Sequence, residues 1–174
     1  MSKEYLPEKV NAFRFAELGT SLQGMLFIKD MPRLNSSLVD DKGEVIVSMT
    51  FGVDEQSIPI VKGNVTAEVT LQCQRCMEPF IYDIIDRFQF GIVATEQEAE
   101  LLPKQYDPVL TEEGMLLVRD MIEDGLIVSL PIVAMHNEQE CKVKLPLAAG
   151  KGEVGKDSPF KVIEVLQSKR SKSE

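Results

Sequence analysis

The sequence predicts an α+β fold: an antiparallel β-sheet, with curling toward a barrel as one option, covered by one main helix and edged by short peripheral helices. Three observations lead there. Apolar residues alternate with polar ones through residues 44–53 and again through 58–90, a helical stripe occupies 115–130, and the runs of strands precede that helix. With 174 residues, 44% of them hydrophobic and 27% charged, the chain can bury a full core. Residues 1–150 are expected to form a single domain, and 151–174 a linker with a flexible basic tail.

Taken in order, Asn11 suits an N-cap for a helix over residues 12–18, and Gly19 stands at its stop. Residues 22–28 read as a strand. Met31-Pro32-Arg33-Leu34 suits a helical turn, because Pro lacks only an amide that a first turn leaves unused, and 35–41 form a polar connection. From Glu44 the period becomes two, with Val45, Val47, Met49, Phe51 and Val53 on one parity. A turn at 54–57, a short strand at 58–61, a break at Gly63-Asn64 and a third run over 65–72 continue the meander. A fourth run carries Phe80, Tyr82, Ile84, Asp86, Phe88 and Phe90 on one parity, which puts the intervening Cys73-Gln74-Arg75-Cys76 at a hairpin tip.

Thr95-Glu96-Gln97-Glu98 resembles a capping box, its helix ends before Pro103, and 105–114 read as loop. The main helix spans 115–130, with Val118, Met121, Ile122, Gly125 and Val128 on one stripe, and Pro131 stops it. Arg119, Asp120, Glu123 and Asp124 fall on the other side. That placement reads as a solvated helix face more readily than as an acid/base group, since no catalytic partner converges on it. Residues 150–155 form a Gly-rich linker, and Phe160, Val162, Ile163, Val165 and Leu166 make a short amphipathic piece before the Ser/Lys-rich end.

The formal charge of -9 opposes nucleic-acid binding by bulk electrostatics. Charge is uneven: residues 138–174 carry eight Lys or Arg against six Asp or Glu, leaving about -11 on the first 137. No apolar leader opens the chain and no window is long enough to span a bilayer, so a soluble, cytoplasmic protein without a membrane partner is expected. Three cysteines argue against a disulfide framework and for thiols that are free or metal-bound.

Cys73 and Cys76 are the sharpest local feature. Two thiolates two residues apart on a tight turn can face one metal ion, and thiol-redox sites share the spacing. Redox motifs commonly open a helix, whereas here Pro79 and an extended run follow. The single histidine, His136, and the third cysteine, Cys141, form a second cluster, so a Cys3His zinc site at residues 73, 76, 136 and 141 is chemically sensible. The plainer alternative has Cys73 and Cys76 as small turn residues, with His136 and Cys141 exposed in a polar loop. Arg75, with Lys62 and Arg87 on neighbouring runs, is a candidate contact for phosphate, against the alternative of scattered surface charge.

The run Val-Thr-Leu-Gln-Cys-Gln-Arg-Cys-Met-Glu-Pro-Phe, followed by an acidic stretch, Met121-Ile122-Glu123-Asp124, Leu130-Pro131-Ile132-Val133 and His136, closely resembles the large ribosomal RNA subunit accumulation protein family, often called the YceD family. The likeness covers about residues 10–166. The family's Leu-x-Cys-x-Arg-Cys turn is complete as Leu71, Cys73, Arg75 and Cys76. The resemblance implies a non-catalytic role in accumulation of 23S ribosomal RNA and biogenesis of the large subunit, through pre-ribosomal RNA or a basic large-subunit ribosomal protein, with no small-molecule substrate. Relatives carry further cysteine pairs after the Leu-Pro, where this chain offers His136 and Cys141. A thiol-redox or zinc-dependent protein using Cys73 and Cys76 stands as the competing reading.

Overall fold

The computed structural model of the chain describes residues 5–137 and 139–143. Met1–Lys142 forms one compact unit. The linker, amphipathic piece and basic tail expected beyond residue 150 lie outside the described residues. Among the described residues, no helix is long and apolar enough to cross a membrane.

The chain enters through β1 (Lys9–Asn11) and α1 (Ala12–Leu18), then β2 (Ser21–Phe27), a 3-10 turn at Ile28–Asp30 and α2 (Pro32–Asn35). Three long strands follow: β3 (Glu44–Val53), β4 (Pro59–Gln72) and β5 (Pro79–Val93). Then come α3 (Glu96–Leu101), β6 (Asp107–Leu110), β7 (Met115–Leu117) and α4 (Val118–Ser129). The main sheet has the order β2-β3-β4-β5-β6, and β1 and β7 make a separate two-stranded ladder. The sheet is open, with β2 and β6 as its edges, so no barrel closes.

Local chemistry explains the ends. Asn11 Oδ1 accepts the Arg14 amide at 2.9 Å, and Gly19 adopts φ 63°, the left-handed conformation a glycine takes without steric cost. Thr95 Oγ1 accepts the Glu98 amide at 3.2 Å, while Glu98 Oε2 reaches back to the Ala94 amide at 2.8 Å.

Four local expectations are corrected. Residues 59–72 form one strand instead of two, because Gly63 stays in register opposite Phe88 and its missing side chain leaves room for that ring. Residues 105–114, expected as loop, contain β6, which pairs parallel with β5 from Phe90↔Asp107 to Val93↔Leu110. The fourth strand reaches Val93. The main helix begins at Val118, because Met115–Leu117 pair antiparallel with Lys9–Asn11 and the Val118 amide bonds the Glu8 carbonyl at 3.1 Å.

One face of the sheet carries the core. Val45, Val47, Met49 and Phe51 of β3 and Val61, Val65, Val69 and Leu71 of β4 are buried with Ala12 and Ala16 of α1 and Val118, Met121, Ile122 and Leu126 of α4. The Phe51 ring meets Phe15 of α1 edge-on, with centroids 5.5 Å apart. Burial of a side chain this size contributes about 1.5–3 kcal/mol. The opposite parity of β3, β4 and β5, including Ile46 and Ile85, faces outward.

Candidate metal centre

The β4–β5 hairpin is the longest among the described residues, and its tip is a tight turn closed by backbone. The Cys73 amide donates to the Glu78 carbonyl at 2.9 Å, and the Met77 amide to the Cys73 carbonyl at 2.8 Å. Met77 takes φ 62°, which folds the chain sharply back into Pro79. After α4 and Pro131 the chain returns to this turn, where the Gln74 amide donates to the Ala134 carbonyl at 2.8 Å. A second turn closes through the Cys141 amide and the Asn137 carbonyl at 3.1 Å.

These two turns bring all four soft donors together. The ligand atoms of Cys73, Cys76, His136 and Cys141 lie within 4.8 Å of one another. Tetrahedral zinc with bonds of about 2.3 Å to sulfur sets the sulfurs roughly 3.8 Å apart, so the cluster needs only a small contraction to enclose one ion. Cys73 and Cys141 are buried at 0% and 2% exposure, and Cys76 and His136 are half-buried, so the alternative of an exposed His136 and Cys141 does not hold. Cys76 Sγ lies 3.4 Å from His136 Nδ1, and the imidazole packs against Phe80 with ring centroids 5.0 Å apart. The thiols are free.

The electrostatics favour negative charge on Cys73 and oppose it on Cys76. Burial pushes the Cys73 thiol up, yet the backbone of His136, Cys76 and Arg75 and the His136 side chain bring it down to about 5. The Glu78 backbone draws the Cys76 thiol down, but burial and the neighbouring sulfurs of Cys73 and Cys141 raise it above its ordinary value. Two neighbouring sulfurs of which only one readily takes negative charge is the condition that a divalent cation relieves. Arg75 Nε donates to Cys141 Sγ at 3.0 Å and Nη2 to the His136 carbonyl at 3.4 Å. Lys142 Nζ pairs with Glu78 Oε1 at 2.9 Å on the outside of the turn, lowering the Glu78 carboxyl and raising the Lys142 ammonium.

Lys62 and Arg87 stand elsewhere. They are exposed diagonal neighbours on the open face of the sheet, where Lys62 pairs with Gln89 and Asn64 with Arg87, at the end of β4 remote from Arg75.

The solvated reading of the α4 carboxylates is corrected for Glu123, which is 2% exposed. Its Oε1 accepts the amides of Arg33 at 2.7 Å and Leu34 at 3.0 Å, and its Oε2 accepts Arg33 Nε at 3.2 Å and Nη2 at 3.0 Å. Met31, which precedes α2 at the cap position, offers no side-chain cap, so Glu123 supplies the acceptor from 90 residues away. Asp124 also pairs with Arg33, and Asp120 with Arg119. Nothing in the local sequence signals this role.

The structure is thus an α+β protein with an open sheet whose hairpin tip gathers a Cys3His cluster of a geometry compatible with one metal ion. The chain belongs to the large ribosomal RNA subunit accumulation protein YceD family, whose model matches residues 61–167. It is 32% identical over 178 aligned positions to the large ribosomal RNA subunit accumulation protein YceD of Haemophilus influenzae, covering 97% of this chain and 100% of that protein. No solved structure matches it.

Proposed function

We propose that this protein is a non-catalytic cytoplasmic factor that supports accumulation of 23S ribosomal RNA and biogenesis of the large ribosomal subunit, with a structural zinc held by Cys73, Cys76, His136 and Cys141. Family membership supports the first part, and the convergence of the four donor atoms within 4.8 Å carries the second. Bound zinc would supply a fixed tetrahedral cross-link. The chain's own residues shape it: the Gln74–Ala134 bond holds the two turns together, and Arg75 neutralises sulfur charge from one side.

The charge of -9 favours a basic large-subunit ribosomal protein as partner over pre-ribosomal RNA, since complementary charge steers encounter. Direct RNA contact would fall to Arg75, Lys62 and Arg87. A thiol-redox role fits less well, because Cys73 is fully buried and the pair leads into β5 rather than a helix.

Depletion in cells tests the biological reading. Large-subunit RNA should fall relative to small-subunit RNA and return with the wild-type gene. Unchanged subunit ratios would overturn it.

A further inference from the structure

The outward face of the sheet has a charge order that the core and the Cys3His cluster do not use. Along β5 the outward residues are Ile81, Asp83, Ile85, Arg87 and Gln89. Ile81 is 64% exposed and Ile85 80%, and Ile46 of β3, on the same face, is 55% exposed. Asp83 lies beside Glu68 of β4, which makes an acidic row on one side of Ile85. Arg87 lies beside Asn64 with Lys62 one step on, which makes a cationic row on the other. Neither Asp83 nor Arg87 joins an ion pair among the described residues. Four residues of extended chain, roughly 13 Å, separate them, too far for a direct bond along their own strand.

This order is self-complementary. A two-fold axis lying in the plane of the face, running across the strands at Ile85, sets Ile85 on Ile85 of a second copy. The same operation sets Arg87 over Asp83, and Gln89 over Ile81, twice each. The row of Arg87 and Asn64 on one face thus meets the acidic row of Asp83 and Glu68 on the other, while Lys62, in the row of Gln89, falls over Thr70. Sheets stacked face to face stand about 10 Å apart, a gap that these side chains can fill. An isologous contact of this kind needs only that the patch match itself under the rotation. RNA fits the face less well, because the acidic row lies roughly 7 Å from the apolar one and would repel a phosphate backbone.

We propose that the open face is a homodimer interface, with a second copy of this chain packed on it about the axis at Ile85. Rim and core contribute differently: the isoleucines supply the apolar centre, and the charge rows set orientation and exclude a parallel stacking.

Sedimentation velocity of the full chain over a concentration series tests it. The wild type should dimerise, and Ile85→Lys should be monomeric and melt at the temperature of the wild type diluted to monomer, since Ile85 is exposed and association itself adds stability. Arg87→Asp and Asp83→Arg should each weaken the dimer about tenfold or more. An equimolar mixture of these two variants should recover it, because in the mixed pair both cross-contacts are again opposite in sign. A monomeric wild type overturns the proposal. So does a dimer indifferent to Ile85→Lys, a mixture that stays monomeric, or a monomer that binds ribosomal RNA through Lys62 and Arg87.

Discussion

Arg75 Nε donates to Cys141 Sγ at 3.0 Å, across 66 residues of sequence. A guanidinium donating to a sulfur is strongest when that sulfur is a thiolate, the form in which cysteine binds metal. The arginine of the Cys73–Cys76 turn thus acts inside the cluster, and its replacement acts there first. Arg75→Ala should reduce zinc retention against a chelator without abolishing it, as loss of an outer-shell partner costs about 10–100-fold in affinity. Competition with a chromophoric chelator reads this directly.

Replacing Cys73 and Cys76 together by Ser removes two of four donors. Because structural zinc binding is coupled to folding, the melting temperature should fall by well over the roughly 2–4 °C that 1 kcal/mol produces in a chain of this size. Differential scanning calorimetry would show it, and an unchanged curve would count against bound zinc.

Glu123→Ala leaves the Arg33 and Leu34 amides without their acceptor, while the Arg33 guanidinium keeps only Asp124 and the Asp120 carbonyl. The expected cost is about 2–4 kcal/mol in a urea titration, because buried donors lose their partner and the exposed side of Arg33 recovers water. Glu123→Gln keeps an acceptor oxygen for the amides and should cost less.

Asp54 provides the pH dependence. Its carboxyl is held below its ordinary 3.8 chiefly by the Ile58 amide, against the opposing effect of burial, and further by the Tyr106 hydroxyl and the Gln56 amide. A lowered folded value stabilises fully above 3.8, and that contribution is lost as pH falls through the lowered value. Asp54→Ala should therefore lower the melting temperature at neutral pH, with the difference shrinking as pH falls below 3.8. Tyr106, raised above 10.0 first by its bond to Asp54, contributes below that pH, and its contribution fades as pH rises through the raised value. Tyr106→Phe should remove that alkaline limb and also weaken the acid-side contribution of Asp54, because Asp54 loses the hydroxyl that donates to it at 2.8 Å.

Gly63→Val tests the single long strand. A Cβ there would meet the Ser48 carbonyl at 2.3 Å and Phe88 Cζ at 2.7 Å, and the backbone atom cannot turn aside. The expected loss is about 1–3 kcal/mol by chemical denaturation.

What the sequence discloses depends on how local the cause is. The alternation through Val45 to Phe51, the Asn11 and Thr95 caps and the Gly19 stop are legible because each is set within a few residues. Gly63-Asn64 reads as a turn because the residue that fills the space, Phe88, is 25 positions away. Met115-Leu116-Leu117 reads as the start of the helix because a short apolar run does not distinguish strand from helix, and its partner is β1 at the other end of the unit. The short, Pro-containing Asp107–Leu110 lacks a periodic signal altogether. The four-donor cluster could be anticipated, despite its separation in sequence, because the chain holds just three cysteines and one histidine. Glu123 could not, since its partner Arg33 is remote and the charge itself suggests solvent.

Elemental mass spectrometry of untagged protein, paired with a thiol titration, tests the metal centre most directly. One zinc per chain is expected, with cysteines that react only after a chelator is added. Protein without metal and with three freely reactive thiols would contradict it.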